Sequence, residues 1–210
     1  MQTDERKTHW EAVYEQKGET EVSWFQESPD LSLDLIARFA PAPDAGIIDV
    51  GGGASRLVDE LLRRGYEDVT VLDLSQAALQ AAQTRLGPQA AKAAWIAADA
   101  THWRPTRAYD LWHDRAAFHF LTNPEDRNRY VERLTAGLKP GGHAIIATFA
   151  LDGPEKCSGL PIVRYDAAGL QGRLGQAFAL VETLAHEHVT PWGMVQKFQF
   201  SIFRRCVEGA

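Results

Sequence analysis

Apolar residues fall into two patterns along this chain. Between residues 47 and 149 they gather in short runs with few polar interruptions: 47–50, 69–72, 94–97, 110–113 and 143–149. Runs of this length without polar alternation predict strands buried on both faces. The intervening stretches 56–64, 76–86 and 124–138 carry helical periodicity. The first is closed by Gly65, the second by Gly87-Pro88, and the third by the Pro140-Gly141-Gly142 turn. Alternating strands and helices predict a parallel sheet covered by helices on both sides. Residues 178–188 and 195–203 change character. They are β-rich, joined by Thr-Pro-Trp-Gly, and Phe198, Phe200 and Ile202 alternate with Gln199, Ser201 and Phe203. That ending predicts a hairpin adding an antiparallel strand.

Ahead of the regular region, residues 4–17 read as a polar helix with Trp10, Val13 and Tyr14 on one side. A Trp24-Phe25 segment follows, then a second helix stopped by Pro41 and Pro43. We divide the single 210-residue domain into an N-terminal helical cap (1–40), a core (45–150), and a substrate loop with C-terminal β-hairpin (151–210).

Composition changes this picture little. The chain is 45% apolar with a formal net charge of −6, which argues against a general nucleic-acid binder. There is no continuous apolar span for a membrane and no apolar leader. The two cysteines, Cys157 and Cys206, form no paired motif and suit a reducing, cytoplasmic compartment. The expectation is a monomer or weak homodimer with no membrane partner.

The candidate chemistry begins at Asp49-Val-Gly-Gly-Gly-Ala-Ser55. Gly51, Gly52 and Gly53 follow the first strand, where an open α/β sheet binds ligands and where a backbone without Cβ atoms can approach one closely. A bare tight turn would also use glycines. Asp73 ends the next strand about 20 residues further on, the distance at which a carboxylate can accept both ribose hydroxyls. The dinucleotide pattern GxGxxG lacks its third glycine here. Asp49 before the turn suits a ligand carrying a positive group, an ammonium or a sulfonium.

Taken in order, "IIDVGGGAS", "VTVLDLS", "WIAADATHW", "YDLWHDRAAFHFL" and "LKPGGHAIIATF" resemble the motifs of class I S-adenosylmethionine-dependent methyltransferases. The resemblance implies a Rossmann-like, doubly wound sheet of seven strands, mostly parallel with an antiparallel C-terminal strand. It implies S-adenosylmethionine as cofactor and S-adenosylhomocysteine as product. It places Asp49 and Gly51, Gly52 and Gly53 at the methionine part, Asp73 on the ribose, and Leu74 on the adenine. Asp99 and Ala100 would also meet the adenine, and Asp114 would face the methyl-donor side. Ser55 departs from a glycine often found there.

His119, Asp114 and Arg115 are the candidate catalytic residues, with His119 facing the substrate and Arg115 binding an anionic one. For His119 the bland alternative is a structural histidine, and for Arg115 an ion pair. Trp10, Tyr14, Trp24 and Phe25 are either packing or a lid over the cofactor, with Trp24 touching it. In the 152–166 loop, Cys157, Arg164 and Tyr165 are further candidates. His186 and His188 read as a solvent-facing pair, not a metal site.

Three functions compete. The stretch 114–142 looks like thiopurine and tellurite-resistance methyltransferases, implying a small-molecule acceptor with a soft sulfur, selenium or tellurium centre, or a nitrogen. The N-terminal aromatics look like elongation-factor and citrate-synthase lysine methyltransferases, implying a protein acceptor. A binding module without activity is the third. An NAD-dependent oxidoreductase is a more distant alternative.

Overall fold

The computed structural model describes residues 3–207. The elements run in the order α1 (Thr3–Gln16), α2 (Asp30–Phe39), β1 (Ile47–Val50), α3 (Leu57–Arg63), β2 (Val69–Asp73), α4 (Gln76–Leu86), β3 (Ala93–Ala97) and β4 (Tyr109–Arg115). They continue with α5 (Pro124–Gly137), β5 (Leu138–Phe149), the short pair β6 (Lys156–Cys157) and β7 (Leu160–Pro161), α6 (Ala167–Leu174), β8 (Phe178–Val189) and β9 (Val195–Arg205). Seven strands form one sheet in the order β3-β2-β1-β4-β5-β9-β8. β1 to β5 are parallel, and β9 runs antiparallel to both β5 and β8. This is the predicted doubly wound, seven-stranded architecture.

Why the strands read as continuous apolar runs is visible in the packing. Ile47, Val69, Val71, Leu111 and Ile145 face one core with α2 and α3. Their chain neighbours Ile48, Leu72, Trp112 and Ile146 face a second core with α5 and α6. Successive side chains on a strand point to opposite faces, and both faces are covered.

Local chemistry sets the helix ends. The Ser75 side chain accepts the Ala78 N–H at the start of α4. Asn123 accepts the Glu125 N–H ahead of Pro124 in α5. Both are N-caps that occupy donors the helix leaves free.

Three elements depart from expectation. Strand β5 starts at Leu138, before the predicted turn, because Leu138 pairs with Tyr109 across an irregularity in the β4–β5 register. Helix α6 lies where only a loop was expected. The β6–β7 pair adds a small second sheet inside the 152–166 loop.

Candidate cofactor and acceptor cleft

Strand order reverses at β1, which has β2 on one side and β4 on the other. Ligands bind at such a switch point, beyond the strands' carboxyl ends. A cleft of about 870 Å³, open mouth included, lies there.

The turn after β1 forms part of its floor. Gly51 has φ +72°, and a Cβ on it would stand 2.6 Å from the Ala117 Cβ. The turn and the exit of β4 therefore close on each other only if position 51 is glycine. Gly51→Ala combines that clash with a left-handed backbone. It should lower Tm by several degrees, read by a thermal melt.

At one end of the cleft stand two carboxylates. Asp73 accepts the Ser75 N–H at 2.8 Å and is 7% exposed. Burial pushes its carboxyl up to about 7, helped by the negative charges of Asp49 and Glu11. Asp99 behaves oppositely. Burial works against ionisation, but hydrogen bonds from Thr101 and the Arg6 guanidinium hold its carboxyl down at about 2. Leu72, Leu74, Ala98 and Ala100 complete this end.

Helix α1 lies across the cleft. Arg6, Trp10 and Tyr14 line it, spaced four residues apart and so on one helix face. Arg6 donates to Asp99 and to Asp126, both at 2.8 Å. Glu11 crosses to α4, where it accepts the Ser75 hydroxyl and the N–H groups of Gln76 and Ala77. A carboxylate at a helix N-terminus is favoured by the free donors and the helix dipole. Trp24 donates its indole N–H to the Tyr14 hydroxyl at 3.2 Å. Trp10 packs edge-on against Trp24 and Phe120. Phe25, grouped with these in the sequence, faces away from the cleft beneath Arg56.

The other end is apolar: Trp24, Phe120, Phe149 and Phe198, with Cys157 and Gln196. Arg115 is its charged group. Its guanidinium donates to the Trp24 carbonyl at 2.8 Å, and among the described residues no carboxylate lies within ion-pair distance of it. Burial pushes this guanidinium down, with Asp49 and Tyr14 pulling the other way. Burial also pushes the Cys157 thiol up to about 12 and the Tyr14 phenol up further.

Of the sequence candidates, Gly51, Asp73, Leu74, Asp99, Ala100, Trp24 and Arg115 line the cleft. Gly52 and Gly53 sit in the turn without lining it. Asp49 lies beneath them, 3% exposed, with Oδ1 near His113 and Oδ2 unpartnered.

Two of the catalytic expectations are corrected. Asp114 does not face the cleft. It is fully buried and accepts hydrogen bonds from the Tyr130 hydroxyl and the N–H groups of Ala117 and Phe118. Burial pushes its carboxyl up to about 6. Its work is to hold the chain leaving β4. His119 does not face substrate either. It is fully buried beside Phe120 and Phe149, and burial pushes its imidazole down to about 3.

His186 and His188 are not a solvent-facing pair, since His188 is buried and donates to the Ser23 carbonyl at 2.6 Å. Arg164 reaches back to the Gly153 carbonyl, and Tyr165 is buried in the second core. Arg6 and Cys157 thus stand in the cleft while Arg164 and Tyr165 do not. Sequence reasoning missed Arg6, although its four-residue spacing from Trp10 was a usable signal.

Residues 47–142 match the protein family described as "Methyltransferase domain". The chain is 28% identical over 161 residues to the zebrafish (Danio rerio) EEF1A lysine methyltransferase 2, covering 68% of this chain and 67% of that protein. It is 30% identical over 82 residues to the Homo sapiens protein of that name, where the match spans only about a third of each, 35%.

Among solved structures, the N-methyltransferase NodS from Bradyrhizobium japonicum WM9, bound to S-adenosyl-l-homocysteine, superposes with a TM-score of 0.70. The two are 15% identical, and the match covers 97% of this chain and 98% of that one. A structure described under the conversion of a disulfide bond into a thioacetal group during echinomycin biosynthesis gives 0.74 at 19% identity, covering 97% and 94%. At such identities these structures speak for the fold alone.

Proposed function

We propose that the chain is a class I S-adenosylmethionine-dependent methyltransferase and that it methylates a small molecule through a soft, already ionised nucleophile. The residues fit the cofactor. The glycine turn leaves room that a Cβ would fill, and two carboxylates stand at the neighbouring strand ends. Asp73 would accept the ribose hydroxyls. Leu74, Asp99 and Ala100 would surround the adenine. Gly51 would face the methionine part, with Gly52, Gly53 and Asp49 supporting from below. Bound there, the cofactor supplies an activated methyl carbon on a sulfonium, which an incoming nucleophile attacks in line.

The observation that carries the acceptor class is the far end of the cleft. It holds one cation, Arg115, within an aromatic wall. Among the residues lining that end, none is a base poised to accept a proton near neutral pH; Asp73, raised to about 7, stands at the opposite end, where the ribose is assigned. Cys157 and Tyr14 are both pushed up, and His119 lies outside. An amine would arrive as a cation beside Arg115 and would need deprotonating. A thiolate or selenolate needs no base and is drawn by the guanidinium. Trp24, Phe120 and α1 exclude water from the transfer, so α1 acts as a lid.

A protein acceptor is the second reading. It is favoured by the exposed tip of the β8–β9 hairpin, where Val189, Trp192, Met194 and Val195 are each more than half exposed. The tip continues into Gln196 and Phe198 of the cleft wall.

The test follows label from methyl-labelled S-adenosylmethionine into macromolecules, soluble small molecules and headspace gas of a cell extract. Label in small molecules or gas supports the first reading, and label on protein the second. With an anionic thiol acceptor in hand, Arg115→Gln should raise the acceptor KM by about 10-fold or more with a smaller effect on kcat. A rise confined to the cofactor KM would instead put Arg115 on the cofactor carboxylate.

A further inference from the structure

Below the cleft runs a buried polar chain that the proposed reaction does not use. Asp49 on β1 and His113 on β4 are direct cross-strand partners and so point to the same face. The His113 Nδ1 stands 2.7 Å from Asp49 Oδ1. The His113 Nε2 stands 2.9 Å from the Ser32 hydroxyl at the start of α2. All three residues are at most 3% exposed. The geometry is that of a serine–histidine–aspartate triad, yet Ser32 does not reach the cleft and has no room for a substrate. A nucleophilic role is therefore closed to it.

The polarity of the chain shows what is left. An ionised carboxylate can only accept, so Nδ1–H donates to Asp49. Nε2 faces the Ser32 hydroxyl, which closes the chain at its other end. Asp49 turns Oδ1 to this chain. One of its oxygens, Oδ2, has no partner and lies 2.5 Å from where a Gly52 Cβ would stand. The charge is felt above. Asp49 acts on Asp73 and on Arg115, which line the cleft on either side of the glycine turn.

We propose that Ser32 and His113 are positioning residues of the cofactor site. Their chain fixes the Asp49 carboxylate beneath the glycine turn, and this makes the cleft favour the sulfonium cofactor over the uncharged thioether left after transfer. The inference rests on the cofactor assignment above. Retention of the cation and release of the spent product are both served by one fixed charge, since only the sulfur changes charge in the reaction.

The test is calorimetric titration of S-adenosylmethionine and S-adenosylhomocysteine into the wild type, His113→Leu, His113→Asn and Ser32→Ala, with thermal melts confirming folded protein. His113→Leu removes the donor to Asp49, and the preference for the sulfonium should fall about threefold to tenfold. His113→Asn carries an amide N–H where Nδ1–H stood and should keep the wild-type ratio. Ser32→Ala should move the ratio part of the way, and it decides the matter should His113→Leu fail to fold. Equal ratios in all folded variants, or equal shifts for Leu and Asn, overturn the proposal. A wild type that binds neither compound overturns the cofactor assignment itself.

Discussion

Asp73→Asn should weaken S-adenosylmethionine binding by about 100-fold at pH 8, because two hydrogen bonds to a charged acceptor at roughly 1.5 kcal/mol or more each are lost. The same substitution should flatten the dependence of Tm on pH. The reason is linkage. Burial, with Asp49 and Glu11 nearby, raises the Asp73 carboxyl from 3.8 to about 7. A group raised on folding contributes stability that is fully present below its unfolded value and is lost as pH rises through its folded one. The wild type without cofactor should therefore lose stability between about pH 4 and 7, by on the order of a few kcal/mol from this group. Asp114, raised to about 6, adds a second share that the variant keeps. Cofactor affinity of the wild type should run the opposite way, falling as pH drops below 7 and Asp73 takes up a proton. Calorimetry and melts at pH 5 and pH 8 read both effects. Unchanged affinity in Asp73→Asn would remove the ribose from this strand end.

The site thus stores instability that its ligand relieves. A carboxylate held at 7% exposure among like charges is a poor element of an empty protein. It becomes a good one when ribose hydroxyls donate to it.

Much of this was legible before any coordinates. Continuous apolar runs disclose strands covered on both faces, and a glycine turn with an acid one strand further on discloses the switch point. The misses have physical causes. His119 follows the end of the fourth strand, the place that made it read as substrate-facing. The chain there leaves the strand through Ala116 at φ +71° into a 3-10 turn over Phe118–Phe120. That left-handed step turns His119 into the core. Helix α6 escaped because Ala-Ala-Gly-Leu-Gln-Gly-Arg-Leu carries two glycines, poor helix formers. Its signal was Asp166, whose side chain caps the Gly169 N–H. The Ser32–His113–Asp49 chain joins three elements far apart in sequence, and no local pattern announces it.

Arg6→Ala should open the cleft. Arg6 bridges Asp99 and Asp126 with 6% of its side chain exposed, and each carboxylate shows 9%. Removing the cation leaves Asp99 with Thr101 and Asp126 with the partly exposed Arg129, and losing a buried ion-pair partner is worth up to about 3–5 kcal/mol in comparable settings. The fold as a whole does not depend on α1, since both cores lie on the sheet behind it. The cost should fall on the docking of α1. Amide exchange in α1 should quicken, and S-adenosylhomocysteine should leave at least 10-fold faster in stopped-flow release. Arg6→Lys should fall between, because one ammonium cannot fork to two carboxylates as a guanidinium does. Glu11→Gln at the same helix should be milder, since an amide oxygen still accepts from the α4 N-terminus. The coupling has a specific route. Asp99 spends Oδ1 on Thr101 and shares Oδ2 with Arg6. The carboxylate proposed to meet the adenine is therefore the one that holds the helix down, and a cofactor in place steadies its own cover. Faster exchange in α1 with an unchanged release rate would separate the two and leave α1 as packing alone.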